Sequence, residues 1–205
     1  MKATGIVRRI DDLGRVVIPK EIRRTMRIRE GDPLEIYTDR DGEVIFKKYS
    51  PIGELNAFAA QYADTLHKTC ELDVIICDRD AVIAAAGVPR RDYADKQLSE
   101  ELEKIIEGRS MYIWHDGEEK LSPVQNEGVH YISCAMPIIS EGDILGCVVS
   151  LVNRESSKRS NLAGNGIEAK LVETAAGFLG RQLEACDFLY SAWGCRFQRQ
   201  PAAYM

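Results

Sequence analysis

The sequence predicts an α+β protein in two parts, and three observations carry that prediction. Short β-branched runs crowd the first fifty residues around one basic helix. Beyond residue 51, strand-length apolar runs alternate with longer amphipathic helices. The charge divides at the same place. Residues 1–50 carry 12 Lys and Arg against 9 Asp and Glu, whereas residues 51–205 carry 15 against 23. Opposite signs in two parts of one chain point to two domains, the first facing a polyanion.

In order along the chain, TGIVRRI and RVVI flank DDLG, where Gly14 supplies the positive φ of a tight turn, so a first hairpin is expected. Pro19 presets φ at the first helical position and keeps Ile18 extended, while Gly31 supplies a stop. A helix over about Lys20–Arg29 follows. LEIYT and EVIFKKY flank DRDG and predict a second hairpin with Asp41-Gly42 at the centre of its turn. So few apolar positions bury too little surface for about fifty residues to be stable alone, so pairing of two copies through these strands is expected.

Ser50 as N-cap and Pro51 as first helical residue open a new helix, with Ile52, Leu55, Phe58, Ala59, Tyr62 and Leu66 on one stripe. LDVIICD and AVIAAAG are strands around Arg79-Asp80. A helix from about Lys96 to Gly108 places Leu98, Leu102, Ile105 and Ile106 together, and MYIWH, HYISCAMPII and ILGCVVSLV are further strands. NRESSKRSNLAGNG reads as a mobile loop. A last helix is expected from about Gly166 to Ala185, with Ile167, Leu171, Ala175, Phe178 and Gln182 along one stripe. CDFLYSAWGCRFQRQPAAYM shows neither period, so residues 186–205 are set apart as a tail without assigned function.

Several function classes are excluded at this level. With 205 residues and 45% hydrophobic content the chain can bury a sizeable core. It has no run of about 18 apolar residues and no signal-peptide core, so a cytoplasmic protein without membrane partner is expected. Six cysteines occur without a C-x-x-C pair, which argues against a zinc site and a disulfide scaffold. No metal, cofactor or catalytic residue is expected.

What remains is the basic stripe. Between Arg15 and Arg29 stand six positive side chains against one acid, Glu21. On a helical wheel Lys20, Arg23, Arg24 and Arg27 share one arc opposite Ile22 and Met26. A solvated surface face would alternate Glu and Lys in i,i+4 pairs, and this one does not. Arginine's planar fork suits phosphates and the guanine edge. A helix-turn-helix would need a second helix beside it, and here the neighbours are strands.

From Thr4 to Pro51 the run TGIVRRIDDLGRVVIPKEIRRTMRIREGDPLEIYTDRDGEVIFKKYSP resembles the swapped-hairpin AbrB family of bacterial transition-state regulators, position after position. With the second domain, the chain is similar over residues 1 to about 185 to sporulation regulators that join this module to a GAF-type sensor domain. The resemblance implies a transcriptional regulator of sporulation genes, activator or repressor, that binds double-stranded DNA. It implies a dimeric β-barrel of interleaved hairpins over residues 1–51, and a GAF-like domain over 52–185 that pairs dimers into a tetramer and answers to a small-molecule effector. The DNA-contacting arginines of that family fall here on Arg8, Arg15, Arg23 and Arg24; the wheel adds Lys20 and Arg27.

Two rivals stand beside this reading. An antitoxin-type autorepressor shares the barrel, but antitoxins end in a short acidic tail where residues 52–185 read as a folded domain. A GAF-fold thiol enzyme, such as a methionine sulfoxide reductase, needs a thiolate, and Cys77, Cys134 and Cys147 sit amid apolar strand residues beside His130, where packing is the expected role.

Overall fold

The computed structural model describes residues 6–50, 52, 56–93, 96–125, 128–155 and 166–193, with side chains as far as Leu183. The chain divides into two compact units, Met1–Tyr49 and Ser50–Met205.

The first unit holds a helix α1 (Lys20–Thr25) and a hairpin of β1 (Leu34–Thr38) and β2 (Val44–Lys48), paired antiparallel with Ile36 opposite Phe46. Pro19 is the residue before the helix, extended at ψ 148°, and its carbonyl accepts from Arg23 N at 2.9 Å. It therefore caps the helix where the sequence placed it one position further in.

The helix is shorter than its charge pattern suggests. Ile28 N donates to Arg23 O at 2.8 Å and Arg27 N to Arg24 O at 3.3 Å, a Schellman closure with Arg27 at the left-handed position, φ 51°. Gly31, expected to end the helix, takes its φ of 83° in a later turn that Asp32 N closes onto Arg29 O at 3.3 Å. Arg27 consequently leaves the helical stripe.

The two loops of this unit are copies of one another. Asp11 Oδ1 accepts from Leu13 N at 3.0 Å and Arg15 N at 2.7 Å, and Gly14 follows at φ 74°. Asp39 Oδ1 accepts from Asp41 N at 3.0 Å and Glu43 N at 2.9 Å, and Gly42 follows at φ 83°. Each is a turn with the aspartate first and a glycine bulge fourth, so Arg40-Asp41, not Asp41-Gly42, forms the centre of the second loop. Beyond Asp11 N to Arg15 O at 3.0 Å, the arms expected as strands of the first hairpin form no strand among the described residues. Val7, Ile10 and Val17 stand 70% exposed or more. A β-branched run pairs only where a neighbouring edge exists, and the single chain offers none here.

The second unit is a five-stranded antiparallel sheet with helices on both faces. Its strands are β3 (Asp73–Cys77), β4 (Val82–Ala86), β5 (Tyr112–Ile113), β6 (His130–Ser140) and β7 (Asp143–Asn153), in the order β4-β3-β7-β6-β5. Alternation sends Val74 and Ile76 to one face, where α2 (Asn56–Cys70) and α4 (Ile167–Trp193) cover them. It sends Ile75 and Cys77 to the other face, under α3 (Glu100–Glu107). Such a sheet of antiparallel strands covered by helices is the α+β arrangement the patterns predict.

Three boundaries differ from the sequence reading. Ser99 caps α3, its Oγ accepting from Leu102 N at 3.1 Å, so Lys96–Leu98 precede the helix, and Gln97 and Leu98 instead bridge to Ala81 and Val124. β5 is two residues long at the sheet edge. The backbone of α4 runs through Cys186 to Trp193, since no proline or glycine interrupts CDFLYSAW. The expected helix start at Pro51 and most of the loop before α4 lie outside the described residues.

The stripe expected on α4 is also displaced. Val172, Ala175, Ala176, Leu179 and Leu183 face the sheet, whereas Ile167 and Phe178 stand about 40% exposed. Phe178 instead meets α2, 6.0 Å from Phe58 and 5.4 Å from Tyr62 between ring centroids. The helix has two apolar stripes, one for the sheet and one outside it.

Candidate nucleic-acid interface

In the first unit, Arg8, Arg15, Arg23 and Arg24 stand where the backbone keeps them in water. Arg8 lies in the arm before the first loop, and Arg15 follows Gly14 directly, its N–H held by Asp11. Arg23 and Arg24 occupy consecutive positions of α1 with Lys20 one turn earlier. All five side chains are exposed, and none forms an ion pair with another described residue. Arginines held in pairs would have given up the donors that phosphates need. Arg27 is half-buried and stands off the helix, so the structure removes it from the stripe and keeps Lys20 on it.

A feature that sequence reasoning missed lies behind this surface. Lys48 Nζ is 3.2 Å from Asp32 Oδ2 and donates to Arg27 O at 2.9 Å. Asp32 Oδ2 also accepts from Arg29 N at 2.8 Å. The one sequence signal was the alternation of VIFKK, which turns Lys48 inward with Phe46 and leaves Lys47 outside.

Among its described residues the second unit carries no comparable run of basic side chains. Its strand cysteines are packed: Cys77 and Cys147 are fully buried opposite each other in the β3–β7 ladder, and Cys77 Sγ contacts Cys147 O at 3.5 Å. Burial, with Glu168 adding to it, pushes the Cys134 thiol up to about 12. Burial and the neighbouring Cys77 raise Cys147 well above the ordinary range. His130 Nδ1 is 2.9 Å from Tyr93 Oη, and burial followed by the charges of Asp92 and Asp73 pushes that phenol up to about 12. Among the described residues no group of His, Cys, Asp and Glu could hold a metal, and no helix is long and apolar enough to cross a membrane.

Residues 54–184 match the family model described as stage V sporulation protein T C-terminal, transcription factor. Stage V sporulation protein T of Bacillus subtilis is 54% identical over 185 residues, which cover 90% of this chain and 99% of that protein. The chain belongs to the stage V sporulation protein T family.

Within that family frame, residues 7–53 match the model for the antidote-toxin recognition antitoxin MazE. The transition state regulatory protein AbrB of Bacillus subtilis is 65% identical over 51 residues, 25% of this chain and 52% of that protein. A crystal structure of a methyl-accepting chemotaxis protein, residues 122 to 287, is similar in fold, with a TM-score of 0.51 and 17% identity over 67% of this chain and 93% of that one. The sporulation-protein family thus spans both units, and AbrB shares the first alone.

Proposed function

We propose that this chain is a DNA-binding transcriptional regulator of sporulation genes that works through Arg8, Arg15, Arg23 and Arg24. The observation that carries the reading is the set of exposed arginines on the first unit that form no ion pair with another described residue, in a chain whose net charge is −5. An acidic protein gains nothing from such a surface unless a polyanion meets it. The family membership supports the same reading, since its relatives carry the names of a transcription factor and a transition state regulator.

The active form is a homodimer through the first unit, in which the arms around Asp11 find in a second copy the strand edges that their own chain lacks. Dimers pair into a homotetramer through the outer aromatic stripe of α2 and α4, where Phe58, Tyr62 and Phe178 stack at a half-open surface. Replacing Phe58 and Phe178 with aspartate is expected to leave folded dimers, and light scattering that still reports tetramers removes this interface. Burial raises the Cys134 and Cys147 thiols, which speaks against a thiol enzyme working through them, since sulfoxide reduction needs a thiolate.

Titration of a duplex against salt tests the DNA reading. With four arginines from each of two chains on phosphates, log K falls against log salt with a slope of roughly −7. Arg23→Ala or Arg24→Ala lowers affinity by about 1–3 kcal/mol where the side chain reads a base. A folded double variant with unchanged affinity defeats the assignment. The match to an antitoxin model over residues 7–53 keeps one second reading, an antitoxin-type autorepressor, which a small toxin gene beside this one would favour.

A further inference from the structure

Lys48 has the wrong surroundings for a residue that meets DNA. Its side chain is 23% exposed, and the carboxylate beside it, Asp32, is 2% exposed. An ionised carboxylate so far removed from water persists only with its charge matched and its oxygens bonded. Lys48 supplies the charge, and Arg29 N supplies a second bond to the same oxygen.

The clasp joins three places in the first unit: the end of β2, the turn around Gly31, and the carbonyl of Arg27. Arg27 is a residue with a Cβ held at φ 51°, a conformation that glycine usually fills at this point of a helix end and that other residues enter at a cost. A lysine donor on the Arg27 carbonyl fixes the peptide in that conformation. The need for it follows from α1 itself, which has six residues and buries none of them. A helix this short has no stability of its own and takes its bearing from what grips its two ends. Pro19, the one buried residue of the first unit among those described, grips the start. The Asp32–Lys48 clasp grips the finish.

We propose that Asp32 and Lys48 are positioning residues for DNA recognition, holding the reversal at Arg27 so that Arg23 and Arg24 are presented at one fixed bearing. The inference rests on the DNA-binding reading above, and it makes a prediction of opposite sign to simple electrostatics. Removing an acid from a DNA-binding surface raises its positive charge and ought to tighten binding. Removing Asp32 instead loosens the clasp and weakens sequence-selective binding.

The experiment uses the full chain and two duplexes, one selected from a random pool by the unaltered protein and one scrambled. Asp32→Asn and Lys48→Met each lose about tenfold in preference for the selected duplex, the size expected when a base-reading side chain is misplaced. The double variant loses no more than either single one, because both break the same clasp. Lys48→Arg recovers most of the preference. The Arg29 amide proton, followed by NMR, shifts in Asp32→Asn as its acceptor loses charge, with the circular dichroism of the folded chain retained. Should Asp32→Asn lose that circular dichroism, Lys48→Gln, which keeps a donor but no charge, takes its place with the same expected loss.

Three results overturn the inference. One is a folded Asp32→Asn or Lys48→Gln with preference unchanged or improved. Another is a Lys48→Met whose salt slope falls by about one with preference intact, since that marks Lys48 as a phosphate contact. If the unaltered chain selects no duplex at all, the DNA reading itself fails before the variants are compared.

Discussion

Residues 52–183 close on themselves, with Val74, Ile76, Ile138, Val148 and Leu179 wholly removed from water, whereas the described residues 6–49 bury Pro19 alone. Of the fifteen large apolar side chains that stand exposed among the described residues, eleven lie in the first unit, from Ile6 to Ile45. The two units have similar means of forming strands and turns, so the difference is not one of local propensity. It is a difference in where the partner surface is found. The second unit carries its own, as helices on each face of a sheet. The first presents β-branched arms and an open hairpin that its own chain leaves uncovered, and on the dimer reading its folding and its binding depend on one and the same association.

The largest expected effect breaks this contrast at its root. The fragment 1–52 is expected to be a folded dimer by sedimentation and circular dichroism, and Val17→Asp to abolish both its fold and its DNA binding. In the full chain the same substitution leaves the melting of the second unit in place. A wild-type fragment that is folded and monomeric would show that the arms need no second copy.

Core truncation sharpens the contrast. Leu179→Ala, at a position with no exposure, is expected to cost the second unit about 2–5 kcal/mol whatever the protein concentration. Ile45→Ala in the first unit is expected to shift a midpoint that itself moves with concentration, as unfolding coupled to dissociation does. Equal concentration dependence in both units removes the distinction.

A smaller effect is expected at the loops. Asp11→Ala and Asp39→Ala each remove an oxygen that accepts two backbone N–H groups at an exposed site, and each is expected to lower first-unit stability by about 1 kcal/mol. Matching losses at the two positions would confirm that the loops are energetically alike as well as geometrically.

The smallest concerns Asp73, at the start of β3, whose carboxyl burial raises above 3.8 while His67 and His130 act in the opposite sense. A carboxyl raised in the folded state stabilises the fold below its unfolded value and loses that contribution as pH rises through the folded one. At neutral pH the ionised Asp73 is thus a small penalty, and Asp73→Asn is expected to raise the second unit's melting temperature there and to leave it unchanged below 3.8. A variant less stable at neutral pH would mean that the contact with His67, at 3.5 Å, outweighs burial.

Much of this was legible in the residues. DDLG and DRDG, each with Asp and Gly three positions apart, gave both loops, and apolar runs gave β3, β4, β6 and β7 within a residue or two. Helical spacing brought Arg23 and Arg24 out of the residues, whereas Arg8 and Arg15 came only with the resemblance to the AbrB family. The end of α1 came with neither, because a left-handed arginine leaves no mark in a sequence that offers Gly31 nearby as the obvious stop. The Asp32–Lys48 clasp joins residues sixteen apart through a turn whose path no local pattern records. On α4 one periodicity concealed two stripes, since Phe178, which meets Phe58 and Tyr62, lies about a third of a turn from the residues that meet the sheet. The helix continued past Ala185 because aromatic residues disguise a stretch that contains nothing to stop it.

The paired aspartate loops also bear on time as well as on shape. Each closes within five residues, so it forms in about microseconds and needs no contact from elsewhere in the chain. Meeting a second copy takes far longer and slows further on dilution. On the dimer reading, a newly made chain has its loops set and its second unit folded while its arms are still searching, and the rate at which regulator becomes competent rises with the concentration of the protein itself.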